Sequence, residues 1–443
     1  MVTRGKLLEL SRTLQRTNMI KVSTLTALST VLLMSSAYAA GFHLREQSSA
    51  AQGNAFAGAT AGAENNSYAY FNVAGLTRQK GTQVNFGAAY IAPKASAYEV
   101  KNEQGERGAD VQNIVHAAVS PNGTVSYQVN DKTFAGIALN VPYGMITKYD
   151  RDWAGSDHGI TSDLKAVDIT PMIAYKATDK LSVGAGLQIQ YLWAHLTNSS
   201  SLAYTKYIQA DGDALDLGYQ LGALYEFTDS TRAGVGYRSE VKHKVKGKFK
   251  SDGANAGPYS PYFDSLLNQD VSVKITTPSM LSFGVYHDIN ERWAIMAEYQ
   301  RVFWSSLQKL EFVSKNGNNT LGKPYISRVD EKWRDTNFYA IGTSYMLDEQ
   351  WKLRLGLAYD QSAVRFQHRT PRVPDSDRIW YSTGLGYKYS EKLDFDAGFT
   401  YIQAHDAKLD TSVTGNSQSG KNVTARYENS VKTFTISMNY AFN

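Results

Sequence analysis

The stretch WKLRLGLAYD, residues 351–360, alternates large apolar side chains with polar or small ones at every step. Successive side chains of a β-strand point to opposite faces, so this stretch places its Trp, Leu and Tyr residues on one face of a sheet. The same period of two recurs at residues 393–401 and 433–442. The predicted strands run about 12 to 18 residues, whereas strands of soluble sheets typically have about 5 to 6.

The connections between these strands alternate between short and long. Six are short polar turns: 130–131, 178–180, 228–230, 288–290, 348–350 and 390–392. Seven longer polar segments lie between them, at about 94–112, 148–163, 198–213, 250–270, 313–334, 368–376 and 408–426. Together they join 14 strands. An even number places both chain ends on one side of the sheet.

Long strands with this rhythm are typical of an outer-membrane barrel, which has short periplasmic turns and long external loops. Closure pairs every backbone group without water, and the 29 Tyr residues suit aromatic girdles at the membrane interfaces. A secreted sandwich or propeller also alternates, but it does not predict the rhythm of turns and loops. We therefore predict an all-β membrane protein, a 14-stranded antiparallel transmembrane β-barrel over residues 81–443.

Residues 1–39 are predicted to be a secretory signal peptide. An apolar run at 22–34 is followed by Ala37-Tyr38-Ala39, a small-x-small cleavage site. A start at Met19 would suffice for such a signal, and an amphipathic helix of the mature protein is the alternative. This segment carries a net charge of +4 out of +5, which leaves +1 for the remainder. No nucleic-acid partner is expected, because such binding needs a basic patch on the working domain.

Residues 40–80 do not follow the barrel pattern. They combine small residues over 48–63 with scattered apolar ones such as Phe42, Phe56 and Leu76. Because the segment precedes the first strand on the periplasmic side, we predict that it folds into the lumen as a hatch. A periplasmic tail is the alternative.

Motifs for catalysis are nearly absent. The chain has no Cys, and neither G-x-S-x-G nor H-E-x-x-H occurs. Ser162 and Lys165 match S-x-x-K at a loop boundary without partner motifs, which favours chance. We predict a protein that is not an enzyme, with no cofactor and no metal site.

The third predicted strand contains Pro142, Tyr143, Gly144 and Met145. Pro cannot donate to a sheet ladder and Gly weakens a strand, so both favour a kink or bulge. A kinked strand can open a gap in a barrel wall. The alternative is that the strand ends at Val141.

Several segments resemble the FadL family of long-chain fatty acid transporters, which also includes aromatic-hydrocarbon channels. They are Ala40-Gly41-Phe42, residues 72–76, 237–242, 374–380 and the end at 439–442. The resemblance covers residues 40–442. It implies a lumenal hatch and a kinked third strand through which the ligand leaves sideways into the membrane.

The resemblance assigns three candidate substrate-binding residues: Phe42, Arg238 and Arg328. It assigns the hatch motif Asn72-Val73-Ala74-Gly75 and the lateral exit Pro142-Tyr143-Gly144. Val73 replaces the Pro of the family motif, and Asn443 follows the usual terminal Phe. The family's ligand-facing Arg falls near Asn198 here, which makes Arg328 the substitute candidate.

These features predict passive transport of long-chain fatty acids or similar hydrophobic compounds across a Gram-negative outer membrane. The expected partners are hydrophobic small molecules and outer-membrane lipid, and the protein is expected to be a monomer. A general diffusion porin, an aromatic-hydrocarbon channel and an adhesin or phage-receptor barrel are the alternatives.

Overall fold

A computed structural model describes residues 41–199, 207–251, 268–315, 325–413 and 421–442. The predicted signal peptide and the two possible starts lie outside these residues. Within them, no helix combines the length and the apolar content needed to cross a bilayer.

The described ranges form one sheet of 19 strand segments. They are β1 (Thr82–Lys101), β2 (Ala118–Gln128), β3 (Thr133–Lys148), β4 (Thr161–Lys176), β5 (Leu181–Ser199), β6 (Tyr207–Glu226), β7 (Thr231–Arg238), β8 (Val241–Ser251), β9 (Gln269–Thr277), β10 (Met280–Asp288), β11 (Trp293–Val302), β12 (Lys309–Ser314), β13 (Ser327–Asp330), β14 (Thr336–Met346), β15 (Trp351–Asp360), β16 (Arg378–Lys388), β17 (Leu393–Ala404), β18 (Ala407–Asp410) and β19 (Thr424–Ala441).

Five consecutive pairs, β7/β8, β9/β10, β11/β12, β13/β14 and β17/β18, each continue one another. The 19 segments therefore make 14 antiparallel strands. β1 pairs with both β2 and β19, with Val84 opposite Tyr440, so the sheet closes on itself. Closure leaves no strand edge with unpaired backbone N–H and C=O groups, which lipid could not hydrogen-bond. The predicted fold class is confirmed.

The six short turns lie where the sequence pattern puts them, but several strands extend farther than predicted. β1 continues to Lys101, and β6 is already extended at Tyr207. The predicted loops 94–112 and 198–213 are therefore too wide. Beyond the membrane a strand no longer needs an apolar outer face, so alternation in the sequence fades while the backbone pairing continues.

The outward face of the barrel is apolar. Phe86, Leu215, Ile341 and Ile436 are each more than 60% exposed. Aromatic residues flank this band, as expected at membrane interfaces. Examples are the ring contacts Tyr219–Tyr237 and Tyr299–Tyr339 toward the outer side, and Trp351–Tyr387 beside the short turns.

Residues 41–79 lie within the ring of strands. They form short helices at Ser49–Gly53 and Ala59–Gly62 and 3-10 helices at Asn66–Tyr70 and Val73–Arg78. All of residues 41–77 except Glu64 are buried. The segment contacts strands from β1 to β19 around the ring.

Inward-facing glycines let this segment approach the wall closely. On one side Gly222 and Gly236, which are paired in register, meet the backbone and side chains of residues 71–73; on the other, Gly356 and Gly384 meet residues 53–55. A Cβ at any of these positions would overlap the segment. The small residues of both surfaces therefore determine where it packs.

Candidate functional site

The extracellular half of the lumen is apolar. Barrel interiors that carry water are polar, yet the inward faces of β8 and β9 carry Val245, Phe249, Val271, Val273 and Ile275, all buried. They belong to one cluster with inward residues of β3 to β6 and with the aromatic residues of the connecting loops. This interior suits a ligand with a hydrocarbon body.

Phe42 lies at the inner end of this cluster. Its ring centroid is 4.8 Å from Trp304, 5.6 Å from Trp333 and 5.7 Å from Tyr143. Gly41 adopts a φ of +64°, and a Cβ there would overlap both Trp rings. The Gly41 N–H donates to Asp375 at 3.1 Å. The N-terminal end of the described chain is thereby held against the apolar cluster.

A narrow slot in this half is lined by Ala194, Leu196, Val245, Leu310 and Phe312. Its free volume is about 20 Å³, close to the minimum that one water molecule requires. The slot is therefore too small for a hydrocarbon ligand unless these walls move apart.

The wall has an irregularity at β3. The β2–β3 ladder stops at Gly123 opposite Leu139, although β2 begins at Ala118. The β3–β4 register shifts between Asn140 and Tyr143. Above Leu139 the side of β3 that faces β2 therefore lacks its strand partner.

The N-terminal segment occupies this position from inside. Leu44 N–H donates to the Pro142 carbonyl at 2.8 Å, and Gly144 N–H donates to the Phe42 carbonyl at 2.8 Å. His43 and Tyr143 form the bridge between these two bonds. Of the three predicted exit residues, Pro142 and Gly144 thus form backbone hydrogen bonds with the segment, and Tyr143 packs against Phe42.

The motif Asn72-Val73-Ala74-Gly75 anchors the segment on the opposite wall. Asn72 Nδ2 donates to the Thr60 carbonyl at 2.7 Å and the Ala223 carbonyl at 2.9 Å, and its Oδ1 accepts from Ala74 N at 3.0 Å. Val73 is the first residue of a 3-10 helix. Pro is favoured there because the N–H has no partner within the helix, so Val replaces it without loss of a bond.

Arg238 is buried in a polar network. It donates to Asp168 at 2.6 Å, Gln220 at 2.5 Å and Gln188 at 2.7 Å, and it lies 4.3 Å over the Tyr70 ring. Its charge is therefore compensated by Asp168, and its position supports Tyr70 of the N-terminal segment.

Arg328 lies apart from the other predicted residues. It bonds Asp330 at 2.7 Å and Glu311 at 3.2 Å. It is opposite Glu311 in the β12–β13 register and so faces away from the buried Phe312. The structure does not bring Phe42, Arg238 and Arg328 together.

Sequence reasoning missed Arg372. Its guanidinium donates to Asn198 Oδ1 at 3.2 Å, Ser162 Oγ at 2.9 Å and the Thr161 carbonyl at 3.0 Å. It therefore lies beside Asn198, where the family comparison places a cation. The next residue, Val373, belongs to the apolar cluster. No local pattern distinguishes Arg372 from the other cations of residues 365–372.

Arg372 and Glu331 influence each other electrostatically. Burial lowers the pKa of Arg372 to about 10, and Glu331 partly opposes this shift. Burial also raises the pKa of Glu331 to about 7, against hydrogen bonding from Trp333. Arg372 is thus cationic at neutral pH, while Glu331 changes charge there. In the described ranges no group of three or more His, Cys, Asp or Glu residues could bind a metal ion.

Known proteins resemble this chain over most of its length. The family model described as outer membrane protein transport protein (OMPP1/FadL/TodX) matches residues 30–442. A long-chain fatty acid transport protein of Escherichia coli O6:H1 is 28% identical over 86% of this chain and 91% of its own length. Outer membrane protein P1 of Haemophilus influenzae is 27% identical over 95% and 99%.

Solved structures share the fold. A FadL homologue of Pseudomonas aeruginosa superposes with a TM-score of 0.82 at 22% identity, covering 91% of this chain and all of that one. The toluene transporter TbuX of Ralstonia pickettii gives a TM-score of 0.62 at 20% identity, covering 86% and 94%. The predicted outer-membrane location is confirmed, and the chain belongs to the OMPP1/FadL/TodX family of outer membrane transport proteins.

Proposed function

We propose that the protein moves long-chain fatty acids or similar hydrophobic compounds through the outer membrane by passive diffusion. The observation that carries this proposal is the apolar cluster that fills the extracellular half of the lumen. Each methylene that leaves water for such a surface gains about 0.8 kcal/mol. The lumen of a water-filled porin is polar, so a porin would not be expected to have this apolar lining.

The proposed route ends at the wall of β3. Below the cluster, a straight path meets the segment 41–79 and a charged cluster in which Arg354 forms ion pairs with Glu64 at 2.8 Å and with Asp396 at 2.9 Å. A hydrocarbon chain would gain nothing there. We infer that the ligand leaves instead at the irregular stretch Asn140–Gly144, where movement of the bonded N-terminal segment would give an acyl chain access to lipid.

We assign the carboxylate of a fatty acid to Arg372. It is partly buried, cationic and adjacent to the apolar cluster, and charge-assisted hydrogen bonds are about twice as strong as neutral ones. Relatives named as fatty acid transporters support this substrate class.

A neutral aromatic hydrocarbon is the second candidate. Arg238 and Arg328, the cations predicted from the resemblance, are both bonded to carboxylates. A structural neighbour titled as a toluene transporter supports this candidate. Competition between a labelled fatty acid and toluene for uptake distinguishes the two.

The lateral route is tested with a reversible disulfide between the N-terminal segment and β3. His43 and Tyr143 form a bridge flanked by hydrogen bonds of their neighbours, a geometry with Cα atoms about 4.5 Å apart that suits a disulfide. The chain has no Cys, so His43→Cys with Tyr143→Cys introduces a single pair. Oxidation should reduce fatty acid uptake into lipid vesicles at least ten-fold, and reduction should restore it.

Each single Cys variant is the matched control and should not respond to oxidant. Normal uptake by the fully oxidised double variant would contradict a lateral exit that requires this segment to move. Uptake of small polar solutes is measured in parallel, because a rise in that flux would indicate a porin-like passage.

A further inference from the structure

The strand formed by β7 and β8 changes polarity halfway along its length. Over β7 the outward side chains are apolar, ending at Tyr237, and the inward ones are small or charged. Beyond Ser239-Glu240 the pattern inverts: Val245 and Phe249 are buried inside, and every outward residue from Lys242 to Lys250 is lysine. Such a change from apolar to cationic marks the outer edge of the hydrocarbon layer.

The outward residues of β8 are Lys242, Lys244, Lys246, Lys248 and Lys250, all exposed. We call them the lysine row. Across the ladder, Lys274 of β9 is directly opposite Lys244. Like charges in this position repel, so the arrangement favours an external anion between them.

Several amines of this surface, Lys244, Lys246 and Lys274 among them, have no partner in the described part of the chain. Lys244, Lys246 and Lys274 form no ion pair or side-chain hydrogen bond with it, whereas Lys242 bonds Glu240 at 2.7 Å. These three amines are therefore available to a ligand.

The nearby carboxylates have other contacts. Asp213, opposite Lys246, accepts a hydrogen bond from Tyr191. Asp211, opposite Lys248, contacts His195 at 2.5 Å.

Asp270 on the other side of Lys248 pairs with Lys315 at 3.2 Å. Lys248 therefore stands between two carboxylates. The uncompensated charge is centred on Lys244 and Lys274, which are opposite each other, and Lys246 lies beside them with Asp213 opposite.

Exposed leucines lie next to this charge. Leu215 and Leu217 of β6, two and four residues from Asp213, face outward and are 63% and 62% exposed. Lysine stems can lie along such apolar surface while the amines remain solvated. A surface with both features suits an amphiphile better than a soluble polyanion.

We propose that Lys244, Lys246 and Lys274 bind the phosphates of a lipid in the outer leaflet, with its acyl chains against Leu215 and Leu217. Lys244 lies four residues beyond Glu240, or about 13 Å along the strand at roughly 3.3 Å per residue. With the strand tilt of a barrel this is headgroup height. The ligand class is a phosphorylated glycolipid such as lipid A.

For the test, the full chain is extracted in detergent and reconstituted into nanodiscs, and its binding of diphosphoryl lipid A is measured. Binding of phosphate-free lipid A and of phosphatidylcholine is measured in the same way for comparison. The triple variant Lys244→Gln, Lys246→Gln, Lys274→Gln should bind diphosphoryl lipid A at least about fifty-fold more weakly, on a scale of roughly five-fold per lysine near an anionic surface. The triple Lys→Arg variant should bind like the unaltered chain. Lys132→Gln, Lys180→Gln, Lys388→Gln on the short-turn side is the matched control.

Fatty acid uptake by the triple Gln variant shows whether it is folded and should be unchanged. Equal lipid A affinity of the unaltered chain and the triple Gln variant would overturn the proposal. It would also be overturned if soluble polyphosphate or an acidic polysaccharide bound as tightly as lipid A, since the partner would then not be a lipid.

Discussion

At the residue scale, the chemistry of this lumen depends on where its cations lie relative to the apolar cluster. Arg238 has Asp168, and Arg328 has Asp330 and Glu311. Arg372 is partly buried beside Asn198, where it also donates to Ser162 Oγ and the Thr161 carbonyl, and it lies next to the apolar cluster. Two predictions follow from its surroundings.

Replacing Arg372 with Gln removes the charge while keeping a polar side chain. A hydrogen bond to a charged group contributes about 1.5 to 3 kcal/mol, so fatty acid affinity should fall about ten- to one-hundred-fold, and toluene affinity should not change. Calorimetric titration of the detergent-solubilised protein measures both. Arg328→Gln is the matched control and should leave both affinities unchanged; an equal loss for toluene would show that Arg372 only maintains the fold.

Glu331 should make fatty acid binding depend on pH. Burial raises its pKa to about 7, so it is neutral below that pH and anionic above it. The anion competes with a bound carboxylate for Arg372, and a fatty acid is ionised throughout this range because carboxyl pKa values lie near 4 to 5. Affinity should therefore decrease between about pH 6 and 8.

Glu331→Gln provides the comparison for this pH effect. Its affinity should be constant over the same range and equal to that of the unaltered chain at low pH. A decrease of the same size in the variant would assign the effect to another group.

At the scale of elements, the N-terminal segment and the glycines of the wall form one fitted unit. Asn72 bonds the Ala223 carbonyl of β6, and Gly222 leaves the space in which the Asn72 side chain lies. The bonds from Phe42 and Leu44 to β3 hold the other end. We expect this segment to close the lumen to ions.

Gly222→Val tests that closure without deleting any residue. The new side chain would overlap the Asn72 oxygen, and overpacking of this kind costs about 1 to 3 kcal/mol. The displaced segment should raise ion conductance in planar bilayers, toward the level of a chain lacking residues 42–76.

Gly123→Val is the control for this substitution. A Cβ at Gly123 would have ordinary contacts of 3.5 and 3.6 Å, so conductance should stay at the level of the unaltered protein. Unchanged conductance for both a folded Gly222→Val variant and the deletion would contradict the role of the segment as a seal.

At the scale of the whole molecule, we predict that residues 1–39 direct export and are removed from the mature chain. Gly41 is packed against Trp304 and Trp333 and bonded to Asp375, so the start of the mature chain should be close to this position. We predict cleavage after Ala39. N-terminal sequencing of protein from outer-membrane fractions should read Ala-Gly-Phe-His, and an intact Met1 or Met19 would contradict the signal peptide.

The sequence by itself determined the barrel, its strand number and its short turns. These depend on local rules: the period of two along a strand, and polar residues where the chain reverses. The stretch 351–360 shows its outward face without any knowledge of its neighbours. Strand ends such as Lys101 were less predictable, because pairing outside the membrane leaves no apolar alternation.

The tertiary structure alone decided which side chains meet inside the barrel. Phe42 contacts Trp304 and Trp333 across more than 260 positions of sequence, and Arg372 reaches Asn198 across 174. Such contacts arise from closure of the sheet and leave no periodic signal. The same closure pairs Arg238 and Arg328 with carboxylates and brings Arg372, which no motif marked, next to the apolar cluster.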